Sequence, residues 1–449
     1  MTNSHSRFLG TLLAQDVKAR NMVTFYIACF CSIMVASFVP QCQPFILTEI
    51  LNIPESQQGV ISGKLNFAAE IAIIIATALA GPLSDRIGRR LVTAGGFLIM
   101  AAGIYTYPKA TSIETLLAYR LFYSVGIAAV STMIVTLVAD YVADESRGKA
   151  TGYLGIMNGI GAMVTVFVLL RLPSMFQSNG ASAPEAAQMT YSIVAGICVA
   201  IGVLMLLGLK RNSSKPEQKR EDHGFIELSR KGLLAARDPG IALAYGASFL
   251  ARGNLMIVGT FFSLWIIGYG TTELGMTSAD ALKQAGMIIG IAQFFALMGA
   301  PVFGILSDKI NRVTALKIAL AVSAVGYGST IFIDNPTGTG MLICAIFIGL
   351  GEIGCIITSG VLVAQQTPEK IRGATIGFFS MSGAVGILVA SLVGGYLFDY
   401  WLASGPFVFF GVIALLILIW AIVVKDRIVP YSESPQHGSQ ELELGTDFS

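Results

Sequence analysis

The chain reads as twelve apolar runs separated by short polar breaks. The runs fall near residues 22–46, 57–80, 91–108, 115–138, 149–170, 191–209, 241–267, 283–306, 314–333, 340–363, 374–397 and 405–424. Each holds about 18–27 residues, enough at 1.5 Å of rise per residue to cross a hydrocarbon layer of roughly 30 Å. A helix on the surface of a soluble protein keeps a polar face, whereas these runs are apolar on every side. The pattern predicts an all-α membrane protein in which each span satisfies its backbone amides internally.

Composition agrees. The 449 residues are 54% hydrophobic and 12% charged, against roughly a quarter charged in soluble domains. Net charge is only +2, but placement is informative, because Lys and Arg accumulate on the cytoplasmic side. With both chain ends inside, 23 of the 29 Lys and Arg fall in cytoplasmic segments, three (Lys109, Arg171, Lys283) fall outside, and Lys64, Arg120 and Arg252 lie within spans. This predicts a multi-pass protein of the cell (inner) membrane with cytoplasmic N- and C-termini. Residues 1–15 are polar and lack a cleavable signal pattern, so the first span is expected to direct insertion. The six cysteines sit in or beside apolar runs and are expected to be free core thiols. The one glycosylation-type match, at Asn212, falls in a segment expected to be cytoplasmic.

The longest polar interruption divides the chain. The predicted organisation is a cytoplasmic segment 1–21, a six-helix unit 22–209, a linker 210–240, a second six-helix unit 241–425 and a disordered tail 426–449 rich in Ser, Glu and Gly. Within the linker, residues 225–237 have amphipathic helical periodicity; this segment could lie along the inner membrane surface or serve as a plain tether. Two motifs repeat. Gly81-Pro-Leu-Ser-Asp-Arg-Ile-Gly-Arg-Arg90 returns 223 residues later as Gly304-Ile-Leu-Ser-Asp-Lys-Ile-Asn-Arg312, and Arg147-Gly-Lys-Ala-Thr-Gly152 returns after 225 as Arg372-Gly-Ala-Thr-Ile-Gly377. Two motifs at nearly one offset mark an internal duplication, and secondary carriers place their site between such repeats.

With six plus six spans, G-x-x-S-D-R-x-G-R-R after span 2 and R-G-x-x-x-G after span 4, the chain resembles the major facilitator superfamily from about Asn21 to Asp426. The resemblance implies two pseudo-symmetric six-helix bundles around a central cavity that opens alternately to each side. It implies that the loop 2–3 motif latches the cytoplasmic ends together in the outward-open state. Asp85 would then sit by the N-terminal end of span 11, where a helix dipole favours a carboxylate. Arg86, Arg89 and Arg90 would hold neighbouring carboxylates or helix ends, while Gly81 and Gly88 would allow close packing and a tight turn. Asp308, Lys309 and Arg312 would form a weaker counterpart near span 5, with Arg147 and Arg372 in the second pair of loops. The plainer alternative is that these are ordinary cytoplasmic loop charges. Two features depart from family patterns: Ser124 occupies the glycine position of the span 4 motif, and span 5 lacks the Gly-Pro motif of drug/proton antiporters.

Ionisable residues inside spans cost roughly 2.5–3.5 kcal/mol each on insertion scales, so they should face a cavity or a partner. The clear cases are Lys64, Glu70, Arg120, Arg252 and Glu352. In the family, spans 1, 4, 7 and 10 line the cavity, which implies cavity positions for Arg120, Arg252 and Glu352. Arg252 lies about eleven residues into span 7 and Glu352 about twelve into span 10, both roughly 17 Å deep, so the two are expected to interact directly or through substrate. Arg120 can approach Glu70 with its side chain pointing inward. Arg120 and Arg252 could bind an anion bidentately and Lys64 as a point charge. Polar or aromatic candidates for the cavity wall include Gln41, Gln43, Asn66, Tyr245, Asn254, Phe261, Trp265, Thr358 and Ser380.

His5, His223 and His437 all lie outside the spans, which excludes a histidine relay within the membrane. If transport is proton-coupled, Glu352 or Glu70 carries the proton, with Arg120 in support; the alternative is a permanent ion pair bracing the bundles. A G-x-G-x-x-G match at 349–354 lies inside an apolar span without a βαβ context and carries no nucleotide-binding weight. No metal-ligand cluster, Walker sequence or hydrolase triad stands out, so neither enzyme activity nor a cofactor is expected. The expected function is a proton-coupled carrier of a small organic solute with an anionic, zwitterionic or amphiphilic character. Its expected partners are that solute, protons and the bilayer, without nucleic acid, and a monomer is expected. Rival readings are a multidrug/proton antiporter, a spinster-like lysolipid carrier and a non-transporting receptor.

Overall fold

The computed structural model describes residues 7–211, 225–368 and 371–428. The expected disordered tail beyond residue 428, the Asn212 match and all three histidines lie outside the described residues. Among those residues twelve helices are long and apolar enough to cross a membrane. Spans 1–6 are Ala19–Glu49, Glu55–Ile87, Arg89–Lys109, Ile113–Tyr141, Arg147–Ser178 and Ala183–Gly208. Spans 7–12 are Pro239–Thr272, Ser278–Lys309, Arg312–Phe332, Thr339–Gln366, Arg372–Tyr400 and Gly405–Arg427. The helices overrun the apolar runs, because hydropathy marks only the hydrocarbon layer while helical bonding continues into the wet interface. Side chains fix the starts. Asp238 accepts from the amides of Gly240 and Ile241, Asn311 from Val313 and Thr314, and Thr277 from Asp280. At the start of span 6, the Ser182 amide donates to the Glu185 carboxylate, adding two turns before the expected boundary.

The molecule is two six-helix bundles built on the same plan. The N-terminal bundle joins span 3 to spans 4 and 6, and span 5 to span 1, through close glycine contacts, such as Gly96 of span 3 against Val130 and Gly126 of span 4. In the C-terminal bundle, Gly351 of span 10 lies against the Ser323 backbone of span 9 and Gly386 of span 11 against the Phe249 carbonyl of span 7. Two symmetry-related seams join the bundles, span 2 to span 11 and span 5 to span 8, with span 1 meeting span 7 between them. On the first seam Gly63 faces the Ser391 carbonyl and Gly395 faces the Gly59 carbonyl; on the second, Gly286 faces the Val166 carbonyl. Glycine is required at these crossings because an added Cβ would strike backbone rather than a movable side chain.

These contacts lie toward the face opposite the loop 2–3 motif. There Asp399, at the end of span 11, accepts from the amides of Gly59 at 2.8 Å and Val60 at 2.7 Å in the first turns of span 2. Ser174 donates to Asp280 across the second seam at 2.6 Å. On the motif face the bundles separate: Ile75, Leu79, Leu83 and Ile87 of span 2 and Ile376 and Met381 of span 11 are exposed. The conformer is closed opposite the motif face and open toward it.

The linker helix, Phe225–Ala235, does not float free. Gly232 lies against Ala374 and Phe378 of span 11, and its carbonyl accepts from the Tyr245 hydroxyl at 2.9 Å. Leu233 and Leu234 remain exposed on its other side. A short N-terminal hairpin, Arg7–Phe8 with Thr11–Leu12, braces the ends of spans 4 and 5, with Leu13 bridging Val142 and Leu9 accepting from Tyr153 at 3.0 Å.

Asp399→Ala removes two hydrogen bonds to a charged acceptor, each worth about 1.5–3 kcal/mol, and Gly395→Val forces a side chain into the seam. Both should shift the population toward a conformer opened opposite the motif face. Spin-label distances between the ends of spans 2 and 11 read this directly, and unchanged distributions in both variants would refute the closure assigned to this seam.

Candidate functional site

Span 1 carries Pro40 and Pro44 on either side of Gln41 and Gln43. Proline removes a donor from the helical ladder and leaves polar groups that side chains can recruit. Gln43, fully buried, donates to Ser62 of span 2 at 2.9 Å and accepts from the Tyr107 hydroxyl at 2.8 Å, tying three helices together. Arg120 of span 4 lies beside this group and is 6% exposed. Its Nη2 donates to Asn66 Oδ1 at 2.7 Å, and Asn66 Nδ2 donates onward to Thr260 of span 7 at 3.1 Å. A hydrogen-bonded chain thus runs from one bundle to the other. Among the described residues the Arg120 Nε and Nη1 atoms are buried without a hydrogen-bond partner; the Tyr107 hydroxyl lies beside the guanidinium and the Tyr123 ring is 5.8 Å from its carbon. A cavity of about 130 Å³ opens at this point, lined by Pro40, Asn66, Glu70, Arg120, Met256 and Thr260 among others. Glu70, one turn beyond Asn66, places a carboxylate in the same wall, and Arg252 lies within its electrostatic reach.

The C-terminal bundle holds a second polar group. Glu352 is 4% exposed and makes no hydrogen bond or ion pair among the described residues; Tyr327 and Cys355 lie beside it. Asn254 donates to Ser323 at 3.1 Å and its carbonyl accepts from the Tyr327 hydroxyl at 3.3 Å, while its side-chain oxygen is buried without a partner. The glycines of span 10 make this possible, because Gly349 and Gly351 bring it against Ala292 and Ser323.

Several expected placements differ. Arg252 and Glu352 do not meet: Arg252 is exposed, with its Cγ over Gly383 of span 11 and its charge directed toward Glu70, whereas Glu352 turns into the bundle core. Equal depth fixes height along the bundle, not azimuth, and about 100° per residue separates one helix face from the next. Lys64 is exposed and makes no polar contact among the described residues. Tyr245 serves the linker helix and packs on Phe378, and Trp265 packs on Phe407 in the C-terminal core. Of the named cavity candidates, Glu70, Arg120 and Asn66 share one wall. Thr260 completes that wall and had no distinguishing signal in the sequence, because most membrane threonines simply bond their own helix, as Thr132 and Thr136 do here. Asp399 lies beyond the apolar run of span 11 and so reads as a loop charge until the seam is seen.

On the motif face, Arg89 bridges Asp85, Ser84 and, at 3.3 Å, Asp140 of span 4. Asp85 is half exposed and does not reach the start of span 11, because the bundles are apart at this face; space beside Gly81 is open accordingly. Gly88 makes the turn with φ of +95°, a region that favours glycine. In the second copy Asn311 takes that position and caps span 9 instead, while Asp308 and Lys309 are exposed. Arg86 and Arg372 are exposed, Arg147 begins span 5, and Arg90 and Arg312 open spans 3 and 9.

Twelve spans in two like bundles, with a polar cavity on the seam between them, describe a membrane carrier of small solutes. The Major Facilitator Superfamily profile matches residues 24–358 and 283–444, and the chain belongs to that family of non-enzymatic carriers. It is 27% identical to the magnetosome protein MamH of Paramagnetospirillum magneticum over 92% of this chain and 94% of that one. It is 26% identical to MamZ of the same organism but spans only 65% of its length. The probable nitrate transporter NarT of Staphylococcus carnosus is 25% identical over 89% of this chain and 94% of its own. Among solved structures, the nucleoside transporter NupG superposes with a TM-score of 0.70 at 14% identity, covering 90% of this chain and 98% of that one, a likeness of fold.

Asn66→Ala deletes the middle of the inter-bundle chain and strips Arg120 of its bonded partner. The expected cost is about 1–3 kcal/mol, read as a lower thermal unfolding midpoint of the purified protein; a midpoint at or above the wild-type value would show that the chain is not stabilising.

Proposed function

We propose that the chain is a proton-coupled secondary transporter of a small anion, working by alternating exposure of the cavity between the bundles. One observation carries the reading: a buried guanidinium in the cavity wall presents Nε and Nη1 with no hydrogen-bond partner among the described residues. An unpaired buried charge is costly, and a planar oxyanion or carboxylate offers the two parallel acceptors that this edge of Arg120 lacks. The relative named as a nitrate transporter is consistent with such a solute. A charged wall of this kind does not suit a multidrug or lysolipid cargo.

Glu70 shares the cavity with Arg120, so a bound anion would face a carboxylate at short range. Protonation of Glu70 removes the repulsion, and in the anion-free state the carboxylate has Arg252 to turn to. Anion and proton would thus enter together. Glu352, buried without a cation partner, is the second carboxylate in place to hold a proton. Gln43 and Asn66 position the wall, and Asn254 supports Glu352. The Lys and Arg distribution supports a cytoplasmic motif face, so this conformer would be inward-facing, with Asp85, Arg89 and their neighbours released from span 11. The same reading keeps the domain limits given above, the inner-membrane location and the monomer.

Arg120→Gln should weaken anion binding by about 10- to 100-fold, measured by calorimetry on purified protein with nitrate and simple carboxylates. Affinity within twofold of wild type would overturn the assignment of the anion site. In proteoliposomes with an imposed pH gradient, Glu70→Gln should retain downhill uptake but lose accumulation driven by the gradient. Glu352→Gln should lose accumulation while sparing exchange of preloaded solute. Gradient-driven accumulation in both variants would remove the proton coupling.

A further inference from the structure

A second cavity lies away from the seam. It lies on the motif face of the N-terminal bundle, about 360 Å³ in volume, where the start of span 1, the start of span 3 and the end of span 6 converge. Lys18, Arg20, Arg90, Lys210 and Arg211 line it with a single carboxylate, Asp16. Its floor is fixed by bonds: Asn21 donates to the Gly208 carbonyl at 2.6 Å, the Lys18 amide to Asn21 at 2.9 Å, and the Lys210 amide to the Tyr141 hydroxyl at 2.9 Å. Lys210 is further held by the Gln15 carbonyl at 3.2 Å. Two helix N-termini, those of spans 1 and 3, add their positive ends to the same space. Five cations concentrated around one carboxylate, on a floor fixed by hydrogen bonds, call for a multivalent anion.

The surroundings say which kind. Leu207 lines the cavity and is 73% exposed, and it continues a stripe of exposed apolar residues, Val203 and Val199, at intervals of four along span 6. Leu91 and Leu98 of span 3 run alongside, where Gly202 brings the two helices into contact. A basic cup thus opens directly onto an apolar track of about 12 Å, room for the upper part of an acyl chain. We infer that this cup binds the phosphate headgroup of an anionic phospholipid, with its acyl chains along the groove between spans 3 and 6. The site is separate from the Arg120 cavity and shares no lining residue with it.

The shared chemistry is a phosphate, and free phosphate must be told from lipid. The full-length protein in mixed micelles should show a higher unfolding midpoint with phosphatidylglycerol than with phosphatidylcholine, and millimolar inorganic phosphate alone should give no shift. Each basic side chain near an anionic headgroup is worth about fivefold in affinity, so R20Q/R211Q should weaken the phosphatidylglycerol response by roughly 25-fold, while R20K/R211K should keep it. A phosphatidylglycerol response equal in wild type and R20Q/R211Q would overturn the site. A shift produced in full by inorganic phosphate, with nothing added by the lipid, would overturn the lipid assignment. Loss in R20K/R211K as great as in R20Q/R211Q would likewise count against a charge-recognising cup.

Discussion

A guanidinium held inside a membrane protein, with one nitrogen bonded and two not, is the interaction on which the rest of this structure turns. A buried arginine is costly unless paired, and the bond of Arg120 to Asn66 leads through Thr260 into the opposite bundle. The same residue therefore joins the halves and lines the cavity between them. The tie is made of three short, movable side chains rather than a close backbone contact. It can break and reform as the bundles move without costing the fold of either.

The rigid part of the seam is elsewhere. Gly59, Gly63 and Gly395 let spans 2 and 11 approach backbone to backbone, and Asp399 covers the open amides of span 2 beyond them. Close-packed surfaces of this kind are either joined or apart rather than continuously deformable. The motif face shows the separated arrangement. Arg89 gathers Asp85, Ser84 and Asp140 within the N-terminal bundle, so the motif stabilises its own turn while its partner surface is away.

The duplication has been put to unequal use. Gly88 turns the first copy through a conformation open to glycine, whereas Asn311 in the second copy caps a helix with its side chain. The polar groups of the bundles differ likewise: the N-terminal one sets Arg120, Asn66 and Glu70 at a cavity, and the C-terminal one buries Glu352 beside Tyr327 and Cys355. Two related bundles thus carry different chemistry, an arginine in the cavity wall of one and a buried acid in the other.

The sequence by itself determined the twelve spans, their grouping by six and the five ionisable residues that lipid would not tolerate. The reason is that the hydrocarbon layer imposes length, apolarity and charge exclusion on each segment separately. It also named Arg120, Glu70 and Asn66, which share one cavity wall. Only the tertiary structure decided which of those residues meet. Arg252 and Glu352 share a depth but face different ways, Tyr245 and Trp265 are claimed by helix packing, and Thr260 and Asp399 acquire roles only from the bundle opposite. Depth is a local property of one helix, whereas azimuth and partner depend on how helices turn against one another, which glycine crossings far apart in the chain settle jointly.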